Sequence, residues 1–198
     1  MTYVLNDFAA AAKVVNFAGF ARAESALRIR DERPADFFAR ESLLDAAFGA
    51  ARHEKTSERL REGRLPAAGL ALAAIDDARL VGTLRLWHVD AGSAARPALL
   101  LGPLAVAASH RSQGLGTRLI CEALYRALVR GHDAVLLVGD LAFYERFGFS
   151  RALTTGLDLP GPVDRTRFLG LELEAGALAG AKGMVSAGGA FEAGALAA

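Results

Sequence analysis

Leu99-Leu100-Leu101-Gly102-Pro103-Leu104-Ala105-Val106-Ala107-Ala108-Ser109-His110-Arg111-Ser112-Gln113-Gly114-Leu115-Gly116-Thr117-Arg118-Leu119 is the stretch that decides the fold. It opens with an almost wholly apolar run, expected of a strand over Ala98 to Val106. A polar turn follows, and a helix starts inside it. Over Gln113 to Arg130, Leu115, Leu119, Ile120, Ala123, Leu124, Ala127 and Leu128 define one apolar face. Arg118, Glu122 and Arg126 fall on the other face at i,i+4 spacing, and Gly131 ends the helix. A helix N-terminus offers unpaired N–H groups and about half a positive charge. Gly114 and Gly116 let the backbone approach a phosphate closely, and Arg111 adds a fixed charge. The turn reads as a pyrophosphate cradle.

Two rival cradles differ in spelling. A P-loop needs Gly-Lys-Ser/Thr, which occurs nowhere in the chain. A dinucleotide fingerprint needs a third small residue where Leu119 stands. A nucleotide-binding module is therefore disfavoured.

Outward from this stretch, Ala134 to Val138 is a short apolar run, as in a central strand covered on both faces. Strand, long helix and strand from 98 to 138 make a βαβ unit, so those two strands should be parallel neighbours. Upstream, Leu27 to Arg30 predicts a first strand. Pro34 opens a helix through Phe37, Phe38, Leu43, Leu44 and Phe48 that stops at Gly49. A short polar helix is expected near Ser57 to Glu62. Gly69 to Ile75 and Leu80 to Val89 predict an antiparallel pair joined at Asp76-Asp77 by a connection longer than the tightest hairpin turns. Downstream, a small helix covers Ala142 to Phe147, and the segments Ser150 to Leu159 and Arg167 to Leu173 should return to the sheet. The expected fold is α/β: a mixed, mostly antiparallel central sheet with helices on both faces. Pro103 cannot donate to a ladder, so it marks a bulge or an opened edge.

Arg111-x-x-Gly114-x-Gly116 opening a helix after a buried strand resembles the acyl-CoA motif of the general-control-related N-acetyltransferase (GNAT) superfamily. The resemblance extends over roughly residues 27 to 179 in element order. It includes Tyr144-Glu145-Arg146-Phe147-Gly148-Phe149, similar to the family's Tyr-x-x-x-Gly-Phe closure. It implies an acyl-CoA-dependent N-acetyltransferase with acetyl-CoA as cosubstrate and direct attack by a neutral primary amine. The pantetheine arm is then expected along the backbone of Leu104, Ala105 and Val106, with Leu104 and Val106 bonding its amides and the thioester carbonyl. The pyrophosphate is expected on the N–H groups of Ser112, Gln113, Gly114, Leu115, Gly116 and Thr117, beside Arg111. The resemblance implies two catalytic groups: the Leu104 N–H at the developing oxyanion and Tyr144 as proton donor to the departing thiolate. Some members use a glutamate as base, but the strand from Ala98 to Ala108 carries no acid. Glu41, His88 and Asp140 are the candidates elsewhere. A non-catalytic acyl-CoA-binding or regulatory protein is the alternative that this missing acid motivates.

Composition bounds the rest. The chain has 198 residues, 53% hydrophobic and 23% charged, which suits one folded domain. Its 23 basic and 22 acidic residues leave a net charge of +1 without the basic footprint of a nucleic-acid binder. The single Cys121 excludes an intramolecular disulfide and reads as a small buried hydrophobe; Trp87 reads as sheet packing. The four histidines show no metal-ligand spacing, so no metal is expected. No run approaches the roughly 18 apolar residues of a membrane span. The first residues lack a secretory pattern, so the cytoplasm is the expected compartment. Residues 1–26 are expected to be a helical extension, and 180–198, rich in Gly and Ala, a loosely packed tail. The acceptor is a small-molecule or peptide amine of open identity. A homodimer, common in the family, would suit the apolar ends.

Overall fold

The computed structural model describes residues 27–192. The helix expected over 1–26 and the tail from 193 onward lie outside the described residues. The first strand, β1 (Arg28–Asp31), leads through a turn at Pro34–Asp36 into α1 (Phe37–Phe48). A 3-10 stretch, Ala50–Glu54, follows, and a short 3-10 turn, Glu58–Leu60, stands where the short polar helix was expected. Then come β2 (Ala71–Asp76), β3 (Arg79–Ala91), β4 (Arg96–Val106), the long helix α2 (Leu115–Val129), β5 (Ala134–Val138) and the short α3 (Leu141–Tyr144). β6 (Leu157–Asp158), β7 (Phe168–Glu172), β8 (Gly183–Met184) and β9 (Ser186–Ala187) complete the described chain.

The main sheet runs β1-β2-β3-β4-β5-β7, with β9 on the part of β3 that β2 leaves free. The β4–β5 pair is parallel and the other pairs of this sheet are antiparallel, as the βαβ reading requires. Side-chain alternation divides the core in two. Leu84, Leu86, Leu99, Leu101, Val135 and Leu137 face α2, where Leu119, Ile120 and Leu124 meet them. Trp87, Val89, Leu100, Leu136 and Phe168 face the opposite side, covered by Leu60, Leu157, Leu178 and Val185. On α2, Glu122 and Arg126 form the i,i+4 ion pair that their spacing allows, at 2.7 Å. No helix among the described residues is long and apolar enough to cross a membrane.

Three local expectations are corrected. Asp76 pairs with Arg79, so the β2–β3 hairpin turns on Asp77 and Ala78 alone, at φ +42° and +63°. That is the left-handed geometry of a tight two-residue turn, made here without the usual Asn-Gly signal. The segment Ser150 to Leu159 does not rejoin the main sheet as a strand. Ser150 makes an isolated bridge to Gly170, and β6 pairs with β8 in a separate two-stranded sheet. Residues 180–192 are not loose: Val185 is fully buried, β9 bonds β3, and Ser93 N–H donates to the Lys182 carbonyl at 2.8 Å.

Candidate active site

β4 and β5 are hydrogen-bonded neighbours only at Leu99↔Val135 and Leu100↔Leu136. Beyond those pairs β4 follows β3 to Gly82↔Val106, while β5 follows β7 to Val138↔Phe168. The strands part, and the sheet forks. The cause lies at the expected position. Between Leu101 and Leu104, Gly102 and Pro103 oppose the single residue Arg85 on β3, a bulge that bends β4 away. Gly102 takes φ +123°, a conformation that favours glycine, and its carbonyl accepts the buried Trp87 indole N–H at 3.0 Å. Trp87 therefore packs the sheet and pins the bulge.

The fork exposes backbone polar groups of known direction. Ala107 N–H donates to Val81 O at 2.8 Å. Alternation along an antiparallel strand then turns Ala105 toward β3 also, and the N–H and C=O groups of Leu104 and Val106 toward the fork.

At the mouth of the fork stands the first turn of α2. A β-carbon on Gly116 would lie 3.9 Å from Val106 Cγ2 and 4.0 Å from Leu104 Cδ2, so the turn seats directly on the two fork residues. Gly114 is the N-cap at φ +78°, with open space around it and no side-chain cap. Ser112, at φ +59°, turns the loop inward. The first bond of the helix runs from Arg118 N–H to Gly114 O, at 3.0 Å. Among the described residues the N–H groups from Ser112 to Thr117 have no backbone acceptor, and no acid sits in the first turn. Leu115 anchors the turn in the core, while Arg111, Ser112, Gln113 and Gly114 are exposed. Three contacts hold the loop. Gln113 Nε2 donates to Ser109 O at 2.8 Å, Arg111 Nε to Val106 O at 3.3 Å, and His110 meets Asp76 at 3.0 Å.

Tyr144 ends α3, just beyond the tip of β5. Asp140 caps this helix, its Oδ1 accepting from Ala142 N–H at 3.1 Å. The Tyr144 ring lies against Gly139 and meets Phe143 and Phe149 edge-on at 5.0 and 5.8 Å. Burial pushes its hydroxyl up to about 12, against a smaller opposing pull from Arg167. The tyrosine is a packed aromatic whose proton is firmly held.

The three candidate bases are all placed elsewhere or engaged. Burial pushes the Glu41 carboxyl up, but hydrogen bonds from Arg52 and Arg40 outweigh it and hold the group below its usual range. His88 pairs with Leu99, toward the far end of β3 from Leu104, and packs beside the His132 ring at 5.4 Å. It does not face the fork. Asp140 is the helix cap. Cys121 is half-buried, and burial raises its thiol.

Sequence reasoning missed two charged groupings. Glu32, after β1, accepts from Arg40 on α1 and from Arg85 on β3, with 6% of the Glu32 side chain exposed. Residues so far apart carry no spacing signal. Lys55 and Arg167 also went unremarked; both are exposed, and among the described residues neither makes an ion pair.

A forked mixed sheet with a glycine loop seated over the fork is an architecture with known relatives. The acetyltransferase (GNAT) domain model matches residues 67–151. The uncharacterised N-acetyltransferase YhbS of Escherichia coli K12 is 32% identical over 157 residues, 79% of this chain and 93% of that protein. The crystal structure of E. coli YhbS in complex with CoA matches with a TM-score of 0.73, covering 85% of this chain and 93% of that one at 31% identity. A GNAT-family acetyltransferase from Brucella melitensis, solved with acetyl-CoA, matches with a TM-score of 0.61 at 25% identity over 86% of this chain and 97% of that one. The chain belongs to the GNAT acetyltransferase family, whose members are N-acetyltransferases.

Proposed function

We propose that this protein transfers the acetyl group of acetyl-CoA to a primary amine by direct attack, with the fork as the site of reaction. The single observation that carries this reading is the alignment of two features. Six consecutive N–H groups without backbone acceptors among the described residues, Ser112 to Thr117, stand over a strand whose Leu104 polar groups and Val106 N–H turn toward the fork, while Val106 O accepts from Arg111. The first suits a pyrophosphate and the second an amide-bearing arm. Arg111 adds charge at the cradle.

The cosubstrate supplies an acyl thioester; this chain's residues supply its placement and stabilisation. Leu104 N–H points into the fork, where it would donate to an oxygen as negative charge develops there. Tyr144, still protonated far above neutral pH, would pass its proton to the departing thiolate as the ammonium formed by attack returns one to the phenolate oxygen. We assign no side chain as base. Glu41, His88 and Asp140 are engaged or distant, so the amine itself must arrive neutral, and kcat/KM should rise with pH up to the amine's own pKa. Catalysis is assigned to the unit 27–179, with 1–26 as an extension, and to the cytoplasm, where acyl-CoA is a common cosubstrate.

Calorimetry with acetyl-CoA, ATP and NAD on the wild type and on Gly114→Asp tests the reading. Position 114 is open and already left-handed, a conformation that Asp tolerates, so the variant should fold. Micromolar binding of acetyl-CoA, about −8 kcal/mol, lost selectively in the variant, is the expected result. Indifference of the wild type to acetyl-CoA would sink the proposal.

A further inference from the structure

The rim of the fork carries cations that make no ion pair among the described residues. Arg167 sits immediately past the tip of β5. Its carbonyl accepts Gly139 N–H at 2.8 Å, and Gly139 is the residue on which the Tyr144 ring lies. The loop before Arg167 is tied to the segment after α1. Thr56 Oγ1 donates to Pro162 O at 2.5 Å and Arg59 Nη1 to Pro160 O at 2.8 Å. That lashing brings Lys55 to the same rim, its Nζ 4.4 Å from the centre of the Phe48 ring. Partial burial, then repulsion from Arg61 and Arg167, pulls the Lys55 ammonium below its usual value. The segment holding Lys55 and the loop leading to Arg167 are thus held side by side.

Several neighbouring charges are engaged, while Arg59 and Arg151 make no ion pair among the described residues. Arg61 is paired with Glu58 at 2.5 Å and Arg165 with Asp158 at 2.5 Å. The Asp164 carboxylate accepts from the Thr166 N–H and hydroxyl, at 2.9 and 2.7 Å. Among the described residues Lys55 and Arg167 make no ion pair, and Asp164 is the acid within electrostatic reach of Arg167. Adjoining Arg167 in sequence, a groove of about 400 Å³ is lined by Arg151, Thr155, Arg165, Thr166 and Phe168. Its lining supplies further hydrogen-bond donors.

We propose that the acceptor is a small amine that also bears an anionic group, a carboxylate or a phosphate, which Lys55 and Arg167 hold while the amine reaches the fork. This rests on the acetyltransferase reading above. Like charges without an ion pair at one rim repel each other until an anion joins them, and charge-assisted bonds to a carboxylate or phosphate are the strong ones. The same charges disfavour a protonated amine beside them, which keeps the nucleophile in its reactive form.

Matched acceptor pairs test this: glycine against glycinamide, and 2-aminoethyl phosphate against ethanolamine. Thiol release from acetyl-CoA is followed with each, and acetyl-CoA affinity is measured by calorimetry on the same samples. The expected result is a kcat/KM about tenfold or more higher for the charged member of at least one pair. That preference should collapse toward unity in Lys55→Gln/Arg167→Gln, and partly in each single variant. The pair that responds tells carboxylate from phosphate. Equal use of both members, preference for the neutral member, turnover of none of the four, or a preference that survives the double substitution each overturns the proposal. With acetyl-CoA binding intact, any of these outcomes leaves the acetyltransferase reading standing. If acetyl-CoA does not bind, that reading falls and takes this one with it.

Discussion

Tyr144 and Gly139 are in such close register that a β-carbon at position 139 would stand 2.3 Å from Tyr144 Cε2. The glycine is needed for space, since its backbone is not left-handed. Gly139→Ala should displace the ring and overpack the tip of β5, at a cost of about 1–3 kcal/mol. We expect kcat to fall toward that of a Tyr144 variant while acetyl-CoA affinity holds, measured by steady-state kinetics and calorimetry.

Tyr144→Phe removes the proposed acid and leaves the packing. A thiol is a fair leaving group, with an ordinary pKa of about 8.5, so kcat should drop by about a hundredfold, the lower end for general acid catalysis. A second reading follows from linkage. The folded-state value of about 12 lies above the ordinary 10. The folded chain therefore holds a proton that the unfolded chain gives up as pH passes 10. This contribution to stability is complete below pH 10 and is lost as pH climbs toward 12. Urea melts at pH 9 and pH 11 should show a larger alkaline loss in the wild type than in Tyr144→Phe.

Glu32 neutralises two arginines at once, and Arg40 and Glu32 side chains are each only 6% exposed. Glu32→Ala leaves Arg85 without its carboxylate beside Arg40, which keeps only Glu41. Breaking a buried pair of this kind costs about 3–5 kcal/mol. The denaturation midpoint should fall accordingly, with circular dichroism confirming a folded state at low temperature.

Truncation after Ala179 gives a sharp test of the C-terminal segment. A loose tail would be removed without effect. Because Val185 is fully buried and β9 completes β3, we expect a loss of at least about 2 kcal/mol in urea unfolding.

Much of this architecture could be read ahead of the structure, for identifiable reasons. The α2 face was legible because its apolar residues repeat at helical spacing, and those named at Leu115, Leu119, Ile120, Ala123, Leu124 and Ala127 are all buried. The bulge was legible because Pro103 cannot serve a ladder. Other features left no local mark. Asp77 announced a turn, but Ala78 gave no sign that it would be as tight as Asn-Gly makes. Strands of two residues, such as β6 and β9, are too short for any period to show. Alternation decides which face His88 takes, but not which end of the sheet it occupies. The Glu32–Arg40–Arg85 cluster exists only once three elements have met.

The fork divides the sheet into two blades that share a ladder of just two residue pairs. One blade is β1 to β4, on which α2 chiefly packs, and the other is β5 with β7. The β5–β7 blade should thus breathe as its own cooperative unit, its amides exchanging hydrogen ahead of those of β2 and β3. A ligand lying between the blades does more than await reaction: it acts as mortar, so slowed exchange in β5 and β7 would register occupancy before any amine is supplied.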